Sequence, residues 1–94
     1  MRDVLVGYGL MLEKFLNGAM SAESFQQTYL ERFKNETELD GPLFELLDEL
    51  FGDVDSFTTD RLLLASSPDF YLDESGLREK VQSAANRLAE MKML

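Results

Sequence analysis

Apolar residues recur at helical spacing in four separate segments of this chain, and this periodicity constrains the fold more than any other feature. The first segment places Tyr8, Met11, Leu12 and Phe15 at the i, i+3, i+4 and i+7 positions that line one face of an α-helix. No segment alternates polar and apolar residues for long enough to indicate a β-strand. The sequence therefore predicts an all-α fold, an antiparallel four-helix bundle with short connections.

Capping and stop residues separate the helical segments. Asn17-Gly18 favours a left-handed stop after the first helix, and Ser21 is suited to cap the second. Pro42 suits the first position of a third helix, and Gly52 is expected to end that helix. Asp73 is expected to cap the last helix. A short apolar run between residues 62 and 65 could add a fifth, short helix.

Composition limits what such a bundle can do. The 94 residues, of which 45% are hydrophobic, are enough for one domain with one core and leave little to line a deep pocket. The chain has no Cys and no His, so thiolate or imidazole metal ligands and the usual general acid or base are missing. Asp53-Val54-Asp55 begins like a calcium loop, but Phe57, Thr58 and Leu64 occupy positions that need oxygen ligands or Gly. We expect neither an enzyme nor a metal or cofactor site.

The N-terminal residues and the hydropathy pattern indicate where the protein acts. The first apolar run is short, is interrupted by Gly7 and Gly9, and lacks the features of a signal peptide. No run approaches the roughly 18–20 apolar residues of a membrane helix. We therefore expect a cytoplasmic protein that does not bind membranes.

Acidic residues are concentrated in the middle of the chain. The net charge is −9, from 18 acids and nine bases, and such a field attracts basic partners. The last helix alternates the sign of its charges, as solvated faces do, whereas no Lys or Arg occurs between Asn35 and Asp60. Clustered carboxylates repel one another, so this segment indicates a cationic partner better than it indicates solubility alone. Its nine acids are Glu36, Glu38, Asp40, Glu45, Asp48, Glu49, Asp53, Asp55 and Asp60.

The candidate binding residues are the later acids of this segment and one aromatic residue. Glu36, Glu38 and Asp40 are expected in a solvated loop, which leaves residues 48–60 as the working part. Phe70 is expected to cover the end of the bundle, whereas Tyr71 suits either packing beside it or a role as an interface anchor. The predicted partner-binding residues are Asp48, Glu49, Asp53, Asp55, Asp60 and Tyr71.

Four pieces of the chain, taken in order, resemble a known family. These pieces are residues 15–25 (FLNGAMSAESF), residues 49–57 (ELFGDVDSF), Asp60-Arg61 and residues 71–81 (YLDESGLREKV). They are similar to the colicin D immunity-like proteins, which include immunity proteins of contact-dependent growth inhibition systems. The four pieces together span most of the chain.

The resemblance implies a specific function. Members of this family are helical bundles that bind the nuclease domain of a toxin made by the same cell, typically a ribonuclease that cleaves transfer RNA. Asp48, Glu49, Asp53, Asp55 and Asp60 would then stand in for RNA phosphates in a basic cleft, in a complex of one immunity protein per toxin. The alternatives are an acidic nucleic-acid mimic that inhibits another basic protein, or a regulatory helical module. None of these readings involves direct binding of nucleic acid.

Overall fold

Each apolar segment forms a helix in the computed structural model, which describes residues 2–36 and 41–92. The helices are α1 (Arg2–Leu16), α2 (Ala22–Lys34), α3 (Gly41–Asp55), α4 (Arg61–Ser66) and α5 (Glu74–Lys92). The four longer helices form a ring, because α1 and α3 each pack against both α2 and α5. The predicted all-α, antiparallel four-helix bundle is confirmed, and α4 is the additional short helix.

Aromatic side chains join α1, α2 and α3 at the centre of the core. The rings of Phe15 and Phe25 stack with their centroids 4.6 Å apart, and Tyr8 meets Tyr29 edge to face at 5.7 Å. All four are fully buried. The Tyr29 hydroxyl donates a 2.7 Å hydrogen bond to the backbone carbonyl of Leu47 in α3. Burial raises the pKa of Tyr29, so this hydroxyl remains a neutral donor.

The local signals at the helix ends are largely confirmed. Gly18 has a φ of +85°, the left-handed conformation predicted after α1. Ser21 accepts a 3.1 Å hydrogen bond from the Ser24 amide, and Asp73 accepts one of 2.8 Å from the Gly76 amide. At the start of α3 (Gly41–Asp55), Gly41 has a φ of +62°, which lies outside the right-handed helical region, so Pro42 is the first residue that can have helical φ, as predicted.

Gly52 does not end α3, so that prediction was wrong. The helix continues for three more residues to Asp55, and the Ser56 amide still donates to the Gly52 carbonyl at 3.1 Å. The reason is Val54, which is fully buried and extends the apolar stripe of α3 by one turn. Burying a Val side chain stabilises by about 1.5 kcal/mol or more, which exceeds the helix penalty of about 1 kcal/mol for Gly.

The chain leaves the bundle between α3 and α5. The Thr58 amide donates to the Leu72 carbonyl at 3.0 Å, and the Leu72 amide donates to the Ser56 carbonyl at 2.9 Å. These two bonds form an isolated parallel bridge that joins both ends of residues 58–71, which we call the α4 loop. No side chain of the α4 loop is buried. The loop is therefore closed at its base without contributing to the core.

Two arginines bind neighbouring helices in ways that the sequence did not indicate. Arg32 of α2 lies over the Tyr8 ring, 4.7 Å from its centroid, and a Cβ atom on Gly7 would collide with its guanidinium group. Arg78 of α5 lies 4.7 Å from the centroid of Phe15 and donates to the last carbonyls of α1 at 3.3 and 3.4 Å. The alternating charges of α5 suggested that Arg78 belongs to an ordinary solvated face. In the structure Arg78 instead binds the end of α1.

Candidate binding face

The outward side of α3 carries carboxylates and no basic residue. The buried stripe of this helix, from Leu43 to Val54, faces the core. The helical repeat of 3.6 residues consequently directs the acids to solvent, at spacings of three, four and seven residues. Four of them are exposed and one, Asp53, is half-buried. We call this set the α3 acidic face, and it comprises Glu45, Asp48, Glu49, Asp53 and Asp55.

The acidic face is free of bases along the sequence but not in space. On the side nearer α5, Glu49 Oε2 lies 2.9 Å from Arg87 Nη1 in an exposed salt bridge. Asp53 shares a cleft of about 160 Å³ with Glu49, Lys80 and Arg87. The expectation of a wholly uncompensated acidic segment is therefore corrected, because the fold brings cations of α5 to one edge of the face.

Asp53 is held in an environment that disfavours its charge. Partial burial raises the pKa of this carboxyl above 3.8, and the nearby negative charge of Glu49 adds to the rise. Lys80 opposes the rise without cancelling it. The ionised form of Asp53 thus reduces the stability of the fold.

The other side of the α3 acidic face has no such compensation. Asp48 and Asp55 are exposed, and neither forms a salt bridge with any residue that the structure describes. Gly52 is exposed on the same outward side of α3, and a Cβ atom there would meet nothing within 4 Å. This part of the face is consequently both strongly negative and open to close approach.

Asp60 and Tyr71 lie in the α4 loop rather than on α3. Asp60 caps α4 by accepting hydrogen bonds from the amides of Leu62 at 2.9 Å and Leu63 at 3.4 Å. Tyr71 is half-buried and meets Phe70 edge to face at 4.8 Å. Phe70 itself is 64% exposed, so the prediction that it covers the end of the bundle was wrong. The α4 loop directs this ring to solvent instead.

The early acids of the acidic segment are outside the candidate face. Glu36 follows α2, and its Oε2 accepts a 3.3 Å hydrogen bond from the Tyr8 hydroxyl, so it is not simply solvated. Glu38 and Asp40 lie outside the described residues.

Gln26 of α2 positions the junction between α3 and the α4 loop. Its side-chain amide donates to the carbonyls of Val54 at 3.1 Å and Phe57 at 3.0 Å. These bonds satisfy carbonyls at the C-terminal end of α3 and fix where the chain turns out of the bundle. No pattern in the sequence singled out Gln26, because its partners lie 28 and 31 residues away.

Within the described ranges, no group of three or more acids is arranged to hold a metal ion. In the same ranges, no helix is both long enough and apolar enough to cross a membrane.

Residues 4–88, which reach from α1 into α5, match a family described as bacterial self-protective colicin-like immunity. The chain belongs to this family. As a colicin-like immunity protein, it protects bacteria against a toxin that it binds, and the family consists of inhibitors without catalytic activity. No curated protein and no solved structure gives a significant match.

Proposed function

We propose that this immunity protein neutralises the nuclease domain of its cognate toxin, a transfer RNA-cleaving ribonuclease, in the cytoplasm of the producing cell. In this proposal the α3 acidic face occupies the basic surface that otherwise holds RNA phosphates, in a 1:1 complex. The observation that carries the proposal is the pair of exposed carboxylates Asp48 and Asp55, which have no compensating cation among the described residues.

The chemistry of RNA binding supports this arrangement. A nuclease neutralises phosphates with Lys and Arg side chains, and these groups pair equally well with carboxylates. A carboxylate accepts two parallel hydrogen bonds from one guanidinium group, as a phosphate does. Two turns of α3 display several carboxylates in a row, so one helix can satisfy several basic side chains at once.

The candidate residues differ in how directly they serve this role. Asp48 and Asp55 are fully available, whereas Glu49 and Asp53 share the cations of α5 and contribute less. One Asp60 oxygen caps α4, which leaves the other oxygen for a partner. Tyr71 is half-buried and packs against Phe70, so only part of its side chain is accessible to a partner.

The unfavourable environment of Asp53 also supports a functional reason for the charge. Its raised pKa means that the fold would be more stable with a neutral side chain at this position. Residues that reduce stability are typical of binding and active sites, where function requires them.

We expect the gene of the toxin to lie directly upstream, and the C-terminal domain that it encodes is used to test the nature of the target. That purified domain is expected to degrade transfer RNA in total RNA and to leave plasmid DNA intact on a gel. An equimolar amount of the immunity protein is expected to stop the cleavage, and cells that express the domain should survive only when the immunity protein is co-expressed. Cleavage of DNA instead of RNA would contradict the proposed target, and survival without the immunity protein would contradict its role.

The role of the acidic face is tested by association kinetics. The double variant Asp48→Asn/Asp55→Asn should associate about tenfold more slowly with the toxin domain at low salt, because charges steer encounter. Its matched control is Glu79→Gln/Glu90→Gln, which removes the same charge from exposed positions on α5 and should have little effect. Raising the salt from about 50 mM to about 500 mM should slow the wild-type protein towards the rate of the double variant. An on-rate independent of salt and of both carboxylates would refute the electrostatic mechanism.

A further inference from the structure

The α4 loop exposes large apolar side chains. Leu62 is 81% exposed, Phe70 64% and Leu63 37%. These three are half of the six large hydrophobic residues that are exposed in the described part of the chain. Three exposed large apolar residues within one loop of a small domain indicate an interaction site better than single ones scattered over the whole surface do.

Hydrogen bonds hold the α4 loop at both ends, so its apolar side chains are not exposed merely because the loop is disordered. The bridge between Phe57 and Leu72 closes the base of the loop, and Asp60 caps its helix. At the other end, the Ser67 carbonyl accepts hydrogen bonds from the amides of Phe70 and Tyr71, both at 3.0 Å. These bonds hold the backbone of the loop in place before any partner arrives, so less backbone entropy is lost on binding.

The surroundings of these side chains define the chemistry of the partner. Four exposed acids lie in the loop or beside it along the chain: Asp55, Asp60, Asp69 and Asp73. Between residues 55 and 73 the sequence has one basic residue, Arg61. An anionic membrane would be repelled by these acids, and so would a second copy of the same loop. The complementary surface is an apolar pocket bordered by Lys and Arg side chains.

We propose that the α4 loop inserts Leu62, Leu63 and Phe70 into an apolar pocket with a basic border on the toxin domain. This inference rests on the function proposed above, and it adds an apolar anchor to the charged contact. The α4 loop begins three residues after Asp55, the last residue of α3, so the loop follows the α3 acidic face closely along the chain. The Leu and Phe side chains then determine how slowly the complex dissociates, whereas the carboxylates determine how fast it forms.

The test compares apolar truncations in the loop with equal truncations elsewhere. Leu62→Ser and Phe70→Ser should each raise the dissociation rate from the toxin domain about tenfold or more, with little change in the association rate. The matched control is Leu10→Ser, which removes a 52% exposed apolar side chain from α1 and should leave both rates unchanged. All three variants should stay folded, with melting temperatures within a few degrees of the wild type, because none of these side chains is buried.

The outcomes separate this inference from the proposed function. If the wild-type protein binds the toxin domain and the loop variants dissociate at the wild-type rate, the apolar anchor is refuted and the proposed function stands. If the wild-type protein does not bind the domain, both are refuted. Binding of the wild-type protein to vesicles of phosphatidylcholine and phosphatidylglycerol, lost in Phe70→Ser, would assign the loop to a membrane and overturn the inference. Self-association in sedimentation, lost in the same variant, would assign it to a second copy and overturn it equally.

Discussion

Gly52 allows the stability of α3 and its binding function to be changed in opposite directions by one substitution. It lies within the helix, exposed on the outward side, with open space around its Cα. Gly52→Lys places a positive charge between Asp48 and Asp55 on the α3 acidic face. Gly52→Ala is the matched control, since it changes the backbone preference and adds no charge.

Both variants should be more stable than the wild type. Replacing a helical Gly by Ala stabilises by up to about 1 kcal/mol. Lys at this position gains nearly as much, and its attractions to Asp48 and Glu49 add about 0.3 kcal/mol each. Its position in the last turn of α3 adds about 0.3 kcal/mol or more through the helix dipole. For a domain of this size, each kcal/mol raises the melting temperature by about 4–8 °C.

The same lysine should weaken binding. If a basic side chain of the toxin approaches to about 6 Å, the repulsion is about 0.7 kcal/mol in water and about 3 kcal/mol at an effective dielectric constant near 20. This corresponds to a loss in affinity of about 3-fold to 100-fold. Gly52→Ala should bind within about twofold of the wild type, because its methyl group adds no charge and little volume.

Thermal unfolding by circular dichroism and titration calorimetry with the toxin domain measure the two effects separately. The expected result is a higher melting temperature for both variants and weaker binding for Gly52→Lys alone. Equal affinities for Gly52→Lys and Gly52→Ala would refute the assignment of the α3 acidic face to the interface. A lower melting temperature for Gly52→Ala would refute the account of Gly52 as an unstrained helical residue.

Two further substitutions test the energetics of the fold. Tyr29→Phe removes the buried hydroxyl that donates to the Leu47 carbonyl. Urea unfolding should show that the free energy of unfolding falls by about 1 kcal/mol. An unchanged free energy of unfolding would mean that this hydrogen bond contributes nothing to stability. Asp53→Asn removes a carboxyl whose pKa is raised in the folded state, so the folded protein binds this proton more tightly than the unfolded chain does. The pKa of this carboxyl is 3.8 in the unfolded chain and higher in the folded protein. The contribution of Asp53 to stability therefore falls as the pH rises from 3.8 through the raised pKa of the folded protein. Urea unfolding at pH 7 should show Asp53→Asn to be more stable than the wild type, with the difference vanishing near pH 3; a difference of equal size at both pH values would contradict this account.

Local signals in the sequence were sufficient to predict the bundle. Apolar periodicity predicted the buried side of each long helix, and the conformation of Gly18 and the caps at Ser21 and Asp73 follow from short-range chemistry. The prediction failed at Gly52, where the burial of Val54 in the tertiary structure outweighed the local preference. The spacing of four residues between Leu50 and Val54 continues the apolar stripe past Gly52, and the prediction gave the helix-breaking tendency of Gly more weight than this stripe.

The candidate site was predictable in composition but not in arrangement. The concentration of acids between Glu45 and Asp55 is visible in the sequence, whereas the salt bridge between Glu49 and Arg87 joins residues 38 positions apart. Likewise, apolar residues such as Phe70 are assigned to the core by default, and only the folded chain reveals that the α4 loop turns this ring outward.

The closure of the α4 loop involves only backbone atoms, at Ser56, Thr58 and Leu72. Main-chain bonds of this kind place no requirement on side-chain identity, and none of residues 58–71 fills space in the core. Substitutions within the loop can therefore accumulate without unfolding the bundle, provided that the helix cap and the turn are kept. An immunity protein built in this way can follow changes in its toxin by altering one exchangeable segment, while the bundle that carries the segment stays the same.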